Sequence, residues 1–282
     1  MNLPKVSIGM PVYNGELFIG RALESLLTQT FSDFELIIAD NASTDDTEEI
    51  CREFAARDSR IRYVRHNENC GPFQNFQYVL EEAVGEYFMW AAADDTRDSD
   101  FLSLALLIFE RDKDCGLVFC DYRQLNFETG RLVNMGVGTF NSAKSIKKYL
   151  MRLLAPSPSL IYGLHRTSTL LQIPLRNYDY FDVHLTHWYA IHSVVKIIPL
   201  PLYVAGVSGP TTPDGRRIPY SLTSERIDPS TFYREERKML FENFRLPVAL
   251  FYYCLLRYLF FRNVRNENKK IKVEKKRVTN YV

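Results

Sequence analysis

Two adjacent carboxylates, Asp94 and Asp95, stand at the end of the apolar run Tyr87-Phe88-Met89-Trp90-Ala91-Ala92-Ala93. Charge placed at the end of a buried strand must be paired, hydrogen-bonded or bound to a cation. Three more apolar runs end in polar loops. Residues 6–10 precede Pro11-Val12-Tyr13-Asn14-Gly15-Glu16, residues 34–39 precede Asp40-Asn41-Ala42-Ser43, and residues 61–64 precede the stretch from Asn67 to Asn75. In an open α/β sheet, ligands bind outside the carboxyl ends of the strands. Four such loops therefore describe one site, and its carboxylate pair suits Mg²⁺ or Mn²⁺, which bind through few carboxylates plus phosphate oxygens.

Positioning that site requires alternating strands and helices. Residues 17–27 carry apolar side chains at helical spacing, and Ser43 is placed to cap a helix running to Phe54. A third helix is expected over 73–84, ending near Gly85, and a fourth strand over 87–92. The alternation predicts a mainly parallel sheet with helices on both faces. Beyond it the pattern predicts a helix over 101–111, a strand over 117–122 and a hairpin turning at Thr129-Gly130. Further helices are expected over 145–154 and 183–193, with a strand over 159–164. Prolines and glycines between Pro199 and Pro219 read as an irregular region.

A phosphate-binding glycine fingerprint is missing from every strand end. The first loop contains no Lys or Arg, which argues against a nucleotidyltransferase. Five cysteines form no C-x-x-C pair and no recognisable zinc or disulfide framework, so a reducing, cytoplasmic setting is expected. No leader segment is read before Val6, and the Asn41-Ala42-Ser43 sequon is accidental inside a site loop. The net charge of +1 hides an asymmetry: residues 257–282 hold nine Lys and Arg against two Glu. That basic tail follows an apolar stretch over 246–261, shorter than the roughly 20 residues of a spanning helix. An interfacial helix on a membrane and a helix docked on protein are both consistent with it. No nucleic-acid module accompanies the basic tail.

These ordered motifs resemble the opening of the family 2 glycosyltransferases. The resemblance is carried by Val6-Ser7-Ile8-Gly9-Met10-Pro11-Val12-Tyr13-Asn14-Gly15-Glu16, Ser25-Leu26-Leu27-Thr28-Gln29-Thr30 and Phe34-Glu35-Leu36-Ile37-Ile38-Ala39-Asp40-Asn41-Ala42-Ser43-Thr44-Asp45. Asn69-Cys70-Gly71 with Asn75, Gly85-Glu86-Tyr87 and Trp90-Ala91-Ala92-Ala93-Asp94-Asp95 continue it in register. It implies a GT-A-like, Rossmann-like fold over residues 1–225, with a nucleotide-sugar half (1–100), an acceptor half (101–225) and a helical extension over 226–282. The implied activity is inverting transfer of a sugar from a UDP, GDP or dTDP sugar to a glycan or lipid-linked acceptor. Pro11, Val12, Tyr13 and Glu16 would line the nucleoside pocket, with Asn41, Asn69, Gly71 and Asn75 around it, and Asp40 would meet the base edge. Asp94 would meet the ribose or metal, and Asp95 would be the main metal ligand. The family often has a third acid where this chain has Ala92, which leaves a catalytically silent binding subunit as the alternative.

The resemblance also implies a general base in the second half. Asp182 in Asn177-Tyr178-Asp179-Tyr180-Phe181-Asp182-Val183-His184 fits, with Asp179 behind it. A helix cap is the other role open to Asp182. Arg166 is a candidate for the leaving phosphate and Arg216-Arg217 for a mobile lid. His184 and His187 share one helical face, which reads as the inner face of a half-buried helix or, alternatively, a metal site.

Overall fold

The computed structural model describes residues 3–135, 137, 158–175, 181–207, 230–244, 249 and 252. The first half follows the alternation. Strand β1 (Val6–Val12) is followed by α1 (Ile19–Leu27), β2 (Phe34–Asp40), α2 (Thr47–Arg57), β3 (Ile61–Arg65), α3 (Pro72–Glu81) and β4 (Tyr87–Trp90). α1 buries Ile19, Ala22, Leu23 and Leu26, the i, i+3, i+4, i+7 stripe of a helix laid on a sheet. Then come β5 (Thr96–Arg97), α4 (Phe101–Arg111), β6 (Cys115–Asn126), β7 (Leu132–Met135), a 3₁₀ turn (Pro158–Tyr162), β8 (Leu164–Arg166), α5 (Thr167–Leu170), α6 (Phe181–His192), β9 (Val194–Val207) and α7 (Ser230–Asn243).

The strands form one sheet in the order β3-β2-β1-β4-β8-β6-β9-β5, with β7 also paired to β6. β3, β2, β1 and β4 are mutually parallel, as expected. The second half is mixed: β8 runs antiparallel to β4 and β6, β6 and β9 are parallel, and β5 and β7 are antiparallel edges. β4 and β5 stand far apart in this order, yet only a short linker separates Trp90 from Thr96. That linker is folded into a turn, with the Asp95 N–H on the Ala92 carbonyl at 3.4 Å, and so falls short of four strand spacings; the sheet curls back to bring β5 to it. The Asp94-Asp95 pair lies in that linker.

Several boundaries differ from the sequence pattern. The second helix starts at Thr47, not Ser43. The Ser43 hydroxyl instead accepts the Asn14 N–H at 3.0 Å, and Asp45 receives the Thr47 N–H at 3.2 Å. Residues 159–164 are mainly the 3₁₀ turn, closed by the Gly163 N–H on the Leu160 carbonyl at 3.0 Å. The proline-punctuated region is largely strand, because β9 passes straight through Pro199 and Pro201. Register shifts opposite Cys120 and Asp121 leave Pro199 in a bulge and put Pro201 between two irregularities, the places in a sheet where proline is tolerated.

The expected helix at 145–154, Asp179, Arg216-Arg217 and the basic tail lie outside the described residues. Of the apolar stretch 246–261, Ala249 is buried and Tyr252 packs against the core. Among the described residues no helix is long and apolar enough to cross a membrane.

Candidate active site

The loops at the carboxyl ends of β1, β2 and β3 interlock through hydrogen bonds. Glu16 and the start of α2 exchange hydrogen bonds: the Glu16 N–H reaches Asp45 Oδ2 and the Asp46 N–H reaches Glu16 Oε2, both at 3.1 Å. The Gly15 N–H donates to Thr47 Oγ1 at 2.8 Å and the Thr44 N–H to Asn14 Oδ1 at 2.8 Å. Asn14 and Ala42 adopt left-handed backbone (φ 52° and 60°) to make these turns. The loops thus satisfy their own polar groups and hold Pro11 and Val12 in place, with the Tyr13 ring half exposed at the mouth.

Asn41, Asn69 and Asn75 serve the same scaffold. Asn41 Nδ2 donates to Asn69 Oδ1 at 2.9 Å, and Asn41 Oδ1 accepts the Cys70 N–H at 2.9 Å. Asn69 Oδ1 also accepts the Gly71 N–H at 2.9 Å, and Gly71 turns the chain into α3 at φ 86°, a conformation suited to glycine. Asn75 is buried and donates to the Ala39 carbonyl at 2.9 Å. Asp40 is fully buried: Oδ1 accepts the Ser43 N–H at 2.8 Å, while Oδ2 accepts from the Tyr63 hydroxyl at 2.7 Å and Arg65 at 3.2 Å.

Asp94 and Asp95 divide sharply. Asp94 is partly exposed, whereas Asp95 is buried and turned inward. The Tyr203 hydroxyl donates to Asp95 Oδ2, and the Gly206 N–H donates to Asp95 Oδ1 at 2.8 Å. Burial, and next the Asp94 carboxylate, push Asp95 up to about 7 in spite of these bonds. Both oxygens of Asp95 are engaged by protein, and Asp94 is the less buried member of the pair. Among the described residues no group of three or more His, Cys, Asp or Glu is placed to hold a metal. One carboxylate still fits Mg²⁺ or Mn²⁺ arriving with a diphosphate, because such ions complete their shell with phosphate oxygens and water.

Asp182 lies in the first turn of α6, and its Oδ1 accepts the Val183 N–H at 2.8 Å. It is one residue inside the helix rather than just before it. Burial raises its pKa, against that backbone bond. Phe181 packs edge-on against Phe73 and Phe76 of α3, at 5.4 and 5.7 Å between centroids, which brings the start of α6 to the third loop. Tyr162, at the end of the 3₁₀ turn, joins the two halves. Burial raises its hydroxyl pKa, and the carboxylates of Asp95, Asp94 and Asp182 raise it further. All three acids therefore act on one phenol, although 87 residues separate Asp95 from Asp182 in the chain. Sequence reasoning passed over Tyr203, since an aromatic residue in an apolar run looks like ordinary core.

The remaining candidates lie elsewhere. Arg166 pairs with Tyr87 at the opposite end of β4 and bonds the Cys115 carbonyl at 3.2 Å, far along the strand from Asp94. A role for it on the leaving phosphate is thereby corrected. His184 and His187 point together at the buried Glu236 of α7, with Nδ1 to carboxylate distances of 2.7 and 3.1 Å. Burial would push Glu236 up, but the two imidazoles outweigh it and hold the carboxyl down at about 2.

His165 is a core residue. Its Nε2 faces the Ile161 carbonyl at 2.9 Å, so that nitrogen carries the proton, and Nδ1 accepts from the Tyr189 hydroxyl at 2.8 Å. Burial lowers its pKa to about 4. Below the usual value of about 6.5 the unfolded chain takes up a proton that folded His165 refuses. This contribution to stability is full above pH 6.5 and is lost as pH falls toward 4. Relative to a His165→Gln variant, the native chain should lose about 2 kcal/mol more between pH 7.5 and 5.0. Urea melts of both proteins at the two pH values measure that difference, and other titrating groups cancel in it.

The comparisons with known proteins agree with this geometry. The family model described as glycosyl transferase family 2 matches residues 7–163. A chondroitin synthase of Escherichia coli is 35% identical over 135 residues, covering 48% of this chain and 19% of that protein. The crystal structure of S. aureus TarS in complex with UDP-GlcNAc superposes with a TM-score of 0.62 at 19% identity, covering 84% of this chain and 65% of that one. The mannosyltransferase PcManGT from Pyrobaculum calidifontis, in complex with GDP-Man and Mn²⁺, gives a TM-score of 0.52 at 18% identity, covering 85% and 63%. The chain spans less than two thirds of the length of these relatives. With more than half of its residues matched by the family model and its fold shared with GT-A glycosyltransferases, the chain belongs to glycosyl transferase family 2.

Proposed function

We propose that this chain is an inverting glycosyltransferase that moves a sugar from a nucleoside-diphosphate sugar to an acceptor hydroxyl during glycan or surface-polysaccharide synthesis. The observation that carries the reading is the placing of Asp94 and Asp95 just beyond the carboxyl end of β4, on the side of the sheet where the β1 and β2 loops interlock, with the start of α6 and its Asp182 packed through Phe181 against α3. The nucleoside would lie against Pro11, Val12, Tyr13 and Glu16, over a floor built by Asp40, Asn41, Asn69, Gly71 and Asn75. The Tyr63 hydroxyl and Arg65 on Asp40 leave that carboxylate a supporting place beneath the base. A UDP sugar is the donor favoured by the likeness to TarS, with GDP and dTDP sugars as the other choices.

In the transfer, Asp182 takes the proton of the acceptor hydroxyl. The acceptor oxygen forms its bond to the anomeric carbon from one face. The bond from that carbon to the diphosphate breaks on the other, and its electron pair leaves with the phosphate. A raised pKa suits a carboxylate to this work, since a stronger base draws the proton further in the transition state. A divalent cation held by Asp94 and the diphosphate would offset the charge that develops on the leaving group. Asp94 takes this place in preference to Asp95, which is buried where Asp94 is partly exposed. The apolar stretch 246–261 and the basic tail beyond it suit a cytoplasmic enzyme working at the membrane face on a lipid-linked acceptor.

The test is a thermal-shift panel of UDP, GDP and dTDP with and without Mn²⁺. A shift of several degrees with one diphosphate, enlarged by Mn²⁺ and losing that enlargement in Asp94→Ala, is the expected result. No shift with any of the three, in a chain that melts cooperatively, would put the silent-subunit reading ahead.

A further inference from the structure

The inward-facing carboxylate of Asp95 is held entirely from the second half of the chain. β9 supplies the Tyr203 hydroxyl and the Gly206 N–H. β9 is itself locked to the residues that follow the acid pair, because β5 pairs Thr96 with Val204 and Arg97 with Tyr203. The approach is close: a Cβ on Gly206 would stand 2.3 Å from the Asp94 carbonyl oxygen. Arg97 completes the bracket from below. Its guanidinium lies 4.6 Å from the centre of the Tyr203 ring, and Nη2 donates to the Tyr162 carbonyl. Arg97 Nη1 is buried without a hydrogen-bond partner, and Arg97, Asp95 and Ser25 line a common small cavity. A polar cavity of this kind accommodates bound water.

We infer that Tyr203 is a positioning residue of the donor site: acting through Asp95, it fixes the turn that presents Asp94 to the diphosphate end of the donor. Asp95 is then a strut between the two halves of the sheet. Tyr203 has no part in the chemistry, being buried beneath the acid pair. The inference rests on the proposed donor site. It adds that the geometry of the first-half acids is set by a strand some 110 residues downstream.

The test compares Tyr203→Phe and Asp95→Asn with the native chain by calorimetric titration of UDP and of uridine, with Mn²⁺ present (GDP and guanosine where the native chain selects GDP). An intramolecular hydrogen bond is worth up to about tenfold in an equilibrium constant. Affinity for the diphosphate should fall about tenfold in Tyr203→Phe, while uridine affinity changes less than twofold and the fold stays cooperative. Asp95→Asn, which keeps an acceptor for Gly206, should fall less. Equal weakening of nucleoside and diphosphate, or no change in either, overturns the inference and leaves Tyr203 as core. Absence of any nucleotide binding by the native chain instead overturns the donor-site reading itself, and the strut with it.

Discussion

Asp182→Asn should lower sugar transfer by about 10²- to 10⁴-fold, the usual contribution of a positioned general base. Asparagine keeps the size of the side chain and an oxygen for the Val183 N–H, so the first turn of α6 is retained. What disappears is the acceptor for the hydroxyl proton. Nucleoside-diphosphate binding should therefore stay within about twofold, because the donor site is built from other strand ends. The pH profile offers a second readout. Burial raises the Asp182 pKa, so the native rate should fall as acidification protonates it, at a pH above the ordinary aspartate range. That limb should be missing from the residual activity of the variant. Steady-state rates with a native-like melting curve make the measurement clean. Unchanged transfer in Asp182→Asn would remove the base assignment.

Glu236→Ala should be the most damaging single change to stability outside the sheet. The carboxylate is completely buried and holds His184 and His187 on one side of α6. Removing one partner from a buried polar cluster typically costs about 3–5 kcal/mol, because the groups left behind have no water to turn to. Glu236→Gln keeps the shape and one acceptor and should cost less. The consequence reaches the site, since α6 carries Asp182 in its first turn. Urea melts should show the loss directly, and limited proteolysis should cut Glu236→Ala first near α7. A loss under about 1 kcal/mol would mean that α7 contributes little to the position of α6. Glu236 sits at about 2 against about 4.5 in the unfolded chain, so its contribution is full above pH 4.5 and is lost as pH falls toward 2.

Much of the first half was readable because its signals are local. Each parallel strand is a short apolar run ended by a polar loop, and α1 repeats its buried residues at i, i+3, i+4 and i+7. Those patterns place β1, β2, β3 and β4 within one or two residues. The exceptions have local causes too. Ser43 resembles a helix cap, but it is drawn to the Asn14 N–H of the neighbouring loop, and α2 starts four residues later. Pro199 and Pro201 look like breakers, yet both fit β9 because two irregularities of register absorb them.

By itself the sequence determined the family, the alternation that builds the parallel half of the sheet, and the placing of Asp94 and Asp95 at a strand end. Each of these is written in neighbouring residues and needs no knowledge of what packs against them. The tertiary structure alone decided the different surroundings of the two acids. Asp95 turns inward because Tyr203 and Gly206 meet it from β9, which leaves Asp94 as the less buried of the two. It likewise aimed His184 and His187 at Glu236, and carried Arg166 to the far end of β4. These contacts span about 50 to 110 residues. Pairing over such distances leaves no periodicity in the chain, and it depends on the register and curl of a sheet that exists only once the halves have joined.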